Sequence, residues 1–195
     1  MLYGLIAKRL TVNGLISSLL DTAKTAAMIA FVLFGAEVLK GFFSRSGLPI
    51  ALSEWAMVAD ISPLTVLLLV LLAFVVLGCF MDSFSMILVV TPFFWPVLAA
   101  INGGEWVSAD AAAFGMDIDG LKIWFGVLCL IVVELGLITP PVGLNVFVIS
   151  AIDRSIPMRD IFRGVSPFLA VELVRIALIL IFPALALWLP ATLSG

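Results

Sequence analysis

One stretch constrains this chain more than any other: Glu134-Leu-Gly-Leu-Ile-Thr-Pro-Pro-Val-Gly-Leu-Asn145. It lies inside an apolar run, Leu121 to Ile152, that is long enough to cross a bilayer as a helix. Pro140 and Pro141 carry no N–H, so the carbonyls of Gly136 and Leu137 lose their helical donors. Thr139 precedes a proline and is pushed toward extended backbone. The helix is therefore expected to break near Thr139 and restart after Pro141, because prolines are tolerated in a first helical turn. Irregular backbone at membrane depth persists only where it is buried in protein or lines a cavity. Freed carbonyls and half-helix N-termini are groups with which membrane proteins hold ions, so the stretch is a candidate ion site.

Composition supports the membrane setting. The 195 residues are 64% hydrophobic and 12% charged, with a mean hydropathy of +1.30. A chain of this size in water could not cover that much apolar surface, whereas a bilayer requires no covering. The apolar runs are long and continuous, not alternating in short segments, which argues against a β-barrel. The expected class is an all-α, polytopic membrane protein. There is no histidine, so His-based catalysis and His metal sites are excluded, and no transition-metal site is expected. Cys79 and Cys129 sit in apolar runs and read as small apolar residues.

Taken in order, 1–21 mixes apolar positions with Lys8, Arg9 and Asn13 and reads as an interfacial helix. Residues 22–43 form the first spanning candidate, with Glu37 well inside it, and 44–62 holds a short interfacial helix around Glu54 and Trp55. The region 64–101 is ambiguous in length. Its first uninterrupted part, Leu64 to Leu77, would rise only about 21 Å as a helix, less than the roughly 30 Å hydrocarbon core. The polar interruption Gly78–Ser85 then suggests a re-entrant hairpin of two short arms with its tip at mid-depth. The loop 102–120 carries Glu105, Asp110, Asp117 and Asp119 with no Lys or Arg. The broken helix spans 121–152, a loop with Arg154, Arg159 and Arg163 follows, and 165–189 is the last span. The positive-inside rule places the arginine loop in the cytoplasm and the acidic loop and C-terminus outside.

Four blocks occur in sequence: Leu77-Gly-Cys-Phe-Met-Asp82, Thr91-Pro-Phe-Phe-Trp-Pro96, Trp124-Phe-Gly126 and Gly136-Leu-Ile-Thr-Pro-Pro-Val-Gly-Leu-Asn145. Together they resemble the large membrane (permease) subunit of TRAP transporters, the tripartite ATP-independent periplasmic transporters of the ion transporter superfamily. The resemblance runs from Thr22 to Pro190 and covers only the C-terminal half of that family's pattern, so the chain is expected to be a fragment lacking the first repeat. It implies one repeat of an inverted-repeat elevator transporter in a bacterial inner membrane. Such a carrier performs sodium-coupled uptake of an organic acid, such as a dicarboxylate or sialic acid, delivered by a periplasmic binding protein. A small membrane subunit and the missing N-terminal half are the further partners it implies, with sodium the coupling ion, no other cofactor and no nucleic acid.

By that resemblance the ion-binding candidates are Gly78, Asp82 and Ser83 at the hairpin tip and Gly136, Leu137, Thr139, Pro140, Pro141, Gly143 and Asn145 at the break. Sodium takes a cage of oxygens, which carbonyls, a hydroxyl, an amide and one carboxylate can supply. Thr139 and Arg175 are both weak candidates for a substrate carboxylate, guanidinium being well shaped for one. Arg175 more simply pairs with Glu172 three residues earlier. Glu134 reads as a partner for a basic group, a support for a hairpin, or part of an ion path. An aspartyl protease would need two carboxyls sharing a proton, and no paired-Asp signature is present, so no enzyme and no catalytic residue is expected. Two other readings stand beside transport by a TRAP permease: another anion carrier of the same superfamily, or an assembly fragment that does not transport.

Overall fold

The computed structural model describes residues 11–58, 61–152 and 156–193. Every regular element among them is helical, as expected. The order is α1 (Val12–Ser46), α2 (Leu48–Val58), α3 (Pro63–Gly78), α4 (Ser83–Ser85), a π-helical segment Met86–Val90, α5 (Thr91–Asn102), α6 (Ile118–Ile138), α7 (Leu144–Ile152), α8 (Met158–Ile181) and α9 (Ala184–Leu193). Four helical stretches among the described residues are long and apolar enough to cross a membrane: Asn13–Phe43, Ser83–Asn102, Ile118–Ile138 and Met158–Ile181. The chain divides into two compact units, Met1–Leu39 and Lys40–Gly195.

In the first unit α1 runs without interruption through the boundary expected at residue 21. Its polar residues satisfy themselves along the helix: Thr22 Oγ1 donates to the Ser18 carbonyl at 2.8 Å and Thr25 Oγ1 to that of Asp21 at 2.9 Å. Lys24 lies 3.8 Å from Asp21. No break is needed to hydrate them. The expected interfacial segment around Lys8 and Arg9 lies outside the described residues, as do Asp153 and Arg154.

In the second unit the core sits between α3, α5 and α6, with Leu67, Phe74, Leu98, Leu121, Phe125 and Leu128 fully buried. Helix α3 starts cleanly because Ser62, in extended backbone, accepts from the Thr65 N–H and Pro63 occupies the first turn. At its far end the chain turns at Cys79–Asp82 and returns through α4, the π segment and α5. The Phe74 and Phe94 rings meet at 5.7 Å across the two arms. The arms are unequal, not both short: α3 has 16 residues, while helical residues Ser83–Asn102 number 20. Pro92 does not end the second arm because the wider π segment directly precedes it. That segment relieves the clash a proline ring makes with the carbonyl four residues back.

Asn102 closes the hairpin base. It is 0% exposed, its Nδ2 donates to the Met116 carbonyl at 3.0 Å, and its Oδ1 accepts from the Phe114 N–H at 3.1 Å. Helix α6 begins at Ile118, three residues before the expected start, because Asp117 caps it by accepting from the Gly120 N–H at 2.9 Å. Trp124 Nε1 donates to the Ile179 carbonyl at 2.9 Å and fastens α6 to α8. The expected last span, 165–189, is instead two elements: α8 already includes Arg159 and Arg163, and the chain bends at Phe182–Pro183 before α9. Pro183 has no N–H with which to continue the helix. Leu187 of α9 comes beside Gly120, so the chain's last helix lies at the acidic-loop end of α6.

If the hairpin is re-entrant, as expected from the sequence, both of its ends lie on one side of the membrane. Asn102 is too buried to report topology, but Ser62 is exposed and Trp106 is 95% exposed. Single cysteines at Ser62 and Trp106 are expected to react with an impermeant maleimide from the same side of the membrane. Reaction from opposite sides would mean that 63–102 crosses once and is no hairpin.

Candidate ion site at the helix break

Helix α6 stops where the sequence says it must. Thr139 takes extended backbone (φ −88°, ψ 137°) ahead of Pro140. Its N–H turns back to the Gly136 carbonyl at 3.2 Å, and its Oγ1 donates to the Leu135 carbonyl at 2.6 Å. Gly136 is therefore not left open as expected, because the capping N–H of Thr139 replaces the one that Pro140 lacks. Leu137 has prolines at both positions, three and four residues on, where a helical donor would stand. The Thr139 hydroxyl spends its hydrogen on Leu135 and keeps its lone pairs.

The restart comes later than expected. Pro140 and Pro141, joined by a cis peptide bond, lie in the break itself and not in a first helical turn. Gly143 adopts φ +57°, a left-handed conformation that glycine takes without strain. A Cβ there would stand 3.3 Å from both Phe162 Cε1 and the Thr139 carbonyl. Its contribution is the turn that launches α7, whose first bond runs from the Phe147 N–H to the Gly143 carbonyl at 3.0 Å. Asn145 is exposed on the first turn of α7.

The hairpin tip lies across this break. A Cβ built on Gly136 would stand 2.8 Å from the Gly78 Cα and 3.0 Å from the Val75 carbonyl oxygen, so the two backbones touch. Beside them the Cys79 thiol, 2% exposed, is 3.3 Å from the Val75 carbonyl, 3.5 Å from that of Thr139 and 3.8 Å from that of Pro140. Its single hydrogen serves one of these at a time. Ser83 Oγ donates to Glu134 Oε1 at 2.8 Å. Asp82 caps the returning arm, accepting from the N–H of Ser85 at 3.1 Å and from its hydroxyl. Two carboxylates thus stand in or next to the tip, while the ion pairs Asp21–Lys24, Asp119–Lys122 and Glu172–Arg175 lie elsewhere.

Gly78, Ser83, Gly136, Thr139 and Pro140 are therefore brought to one place. Arg175 is not. It pairs with Glu172 at 2.6 Å on α8, one turn before the Ile179 carbonyl that receives Trp124. Trp124 lies twelve residues up α6 from Gly136, about 18 Å along the helix. Cys79, expected to act as an apolar filler, is instead a polar contact of the break. Glu134 joins the tip through Ser83.

These features define a class: a polytopic, all-α membrane protein in which a helical hairpin docks its tip on a broken helix. Residues 1–185 match the family described as the tripartite ATP-independent periplasmic transporter, DctM component, and the chain belongs to that family. It is similar to the sialic acid TRAP transporter large permease protein SiaM of Vibrio cholerae, with 32% identity over 186 residues, 95% of this chain and 39% of that protein. It is also similar to the C4-dicarboxylate TRAP transporter large permease protein DctM of Vibrio cholerae, with 28% identity over 179 residues, 92% of this chain and 36% of that protein. The ectoine TRAP transporter large permease protein TeaC of Halomonas elongata is 29% identical over 194 residues, 97% of this chain and 41% of that protein. The chain thus spans about two-fifths of the length of these curated relatives, which are permeases and not enzymes. No solved structure matches it significantly.

The glycine contact yields a clean comparison. Gly136→Ala must force α3 away from α6 and is expected to cost about 1–3 kcal/mol, as overpacking does. Gly126→Ala meets nothing within 4 Å and is expected to be neutral or to gain up to about 1 kcal/mol from helix propensity. Thermal unfolding of the two variants in the same detergent would measure the difference. Equal melting temperatures would mean that the backbones do not touch at Gly136.

Proposed function

We propose that this chain supplies one hairpin and one broken helix of a TRAP transporter large permease, and that sodium binds where the two meet. The observation that supports this is the convergence of the tip, Gly78–Ser83, on the break, where prolines deny Leu137 its helical donors. On this reading the ion is held by the Leu137 carbonyl, the lone pairs of the Thr139 hydroxyl and oxygens of the tip, with Asp82 and Glu134 favouring a cation. Pro140 and Pro141 keep the carbonyls from being consumed by a continuous helix. Gly78, Gly136 and Gly143 shape the backbone, and Asn145 is a further oxygen donor from α7. The hairpin and break move together past the rest of the permease, an elevator motion that carries ion and substrate across the inner membrane.

The transported solute is a carboxylate-bearing molecule. Sialic acid, C4-dicarboxylates and ectoine, named for three relatives, all carry at least one carboxylate. A periplasmic binding protein delivers it, and a small membrane subunit and the remaining part of the permease complete the carrier. The C-terminus faces the periplasm together with the acidic loop.

The test is uptake against sodium concentration in the complete transporter, with membrane abundance measured in parallel. Thr139→Val keeps the shape and deletes one oxygen. Losing a contact to an ion is worth about 1.5–3 kcal/mol, so half-saturating sodium is expected to rise about tenfold to a hundredfold. Thr139→Ser should restore it. Replacing Pro140 and Pro141 together by alanine should close the helix over Leu137 and abolish the sodium dependence. Unchanged sodium dependence in both variants at normal abundance would reduce the break to a kink.

A further inference from the structure

We propose that Glu134 is a positioning residue that clasps the hairpin tip onto the broken helix through Ser83, and that Cys79 lies beneath this clasp. Three contacts tie tip to helix in succession: Ser83 to Glu134, Gly78 to Gly136, and Cys79 to the carbonyls of Thr139 and Pro140. They differ in kind. The glycine contact brings backbones together but has no directional bond. The thiol bonds are long, at 3.5 and 3.8 Å, and sulfur is a weak donor. The Ser83 hydroxyl bond to a carboxylate, at 2.8 Å, is charge-assisted and fixes orientation. It is the strongest directional link between the tip and α6.

Its placement also accounts for an expensive residue. Glu134 itself is exposed, between the buried Val133 and Leu135, and a carboxylate on an apolar spanning helix is costly in a membrane. With Ser83 as its donor, Glu134 holds the tip at a fixed angle over the break. Without it, the tip rests on the glycine contact and a thiol, and can lift away from Thr139 and Pro140. Lifting uncovers Cys79. The second cysteine, Cys129, is equally buried, at 2% exposure, but lies in the core of α6. The chain therefore carries a reporter of the clasp and a reporter of folding.

The experiment measures N-ethylmaleimide modification of Cys79 and Cys129 separately by mass spectrometry, in membranes of cells carrying the complete transporter. Glu134→Leu and Ser83→Ala are expected to raise the Cys79 rate about tenfold, the equivalent of about 1.4 kcal/mol, and to leave Cys129 protected. Glu134→Gln retains an acceptor oxygen for Ser83 and is expected to label like the unsubstituted chain. If Glu134→Leu exposes both cysteines it has unfolded, and Ser83→Ala, the smaller change, then decides. A Cys79 rate unchanged in Ser83→Ala, or Glu134→Gln behaving like Glu134→Leu, would overturn the clasp. Only the sodium response rests on the ion-site reading: replacing potassium by sodium should slow Cys79 labelling in the unsubstituted chain. Labelling indifferent to sodium, yet raised by Ser83→Ala, would sink the ion site and leave the clasp standing.

Discussion

A backbone carbonyl in hydrocarbon needs a donor, and two successive prolines remove donors at one point of α6. Much of the second unit is arranged around that shortage. Thr139 turns its own N–H and hydroxyl back onto Gly136 and Leu135. The Cys79 thiol covers the carbonyls of Thr139 and Pro140 from the opposite helix. The second arrangement requires that α3 approach α6 to backbone contact, and that approach exists only because residues 78 and 136 both lack a Cβ. The Leu137 carbonyl is among those left without a helical donor, which is why the break is more than a bend.

Meeting at the break also requires that both helices be set from a common base. Gly78 lies fifteen residues beyond Pro63, and Gly136 eighteen beyond Ile118, rises of about 23 and 27 Å. The base is held by Asn102, which ties the end of α5 to the segment before α6, and by the Asp117 cap. Trp124 anchors α6 to α8. A shift in any of these would move the tip along α6, and one residue of slip would put the side chain of Leu77 or Cys79 where only glycine fits.

The break itself was legible because proline acts locally: the missing N–H and the constraint on the preceding residue need no knowledge of the fold. The hairpin was legible from Gly78–Ser85 interrupting an apolar run. The boundaries that differ have physical reasons of another kind. Asp117 reads as one more charge of an acidic loop until its bond to Gly120 shows it to be a cap. Pro183 sits in apolar sequence beyond α8 that resembles the interior of a longer span, and whether one proline bends or ends a helix depends on its neighbours. The role of Cys79 was hidden because it depends on residues sixty positions away. So was the pairing of Gly78 with Gly136, since glycine in apolar sequence marks a close approach without naming the partner.

The arms and the tip of the hairpin are built from different materials. Along the arms, large rings interlock: Phe74 lies 5.7 Å from Phe94 and 6.2 Å from Phe125, and Trp95 is 6.3 Å from Phe125. Such contacts bury much area and are costly to separate. At the tip the contacts with the break are two glycines, a thiol and one hydroxyl–carboxylate bond, beside Leu77 and Met81, which pack against the core. The directional bonds between tip and break are one charge-assisted hydrogen bond and two weak ones. The carbonyls that the tip covers with its thiol are those of Thr139 and Pro140, while that of Leu137 keeps no helical donor.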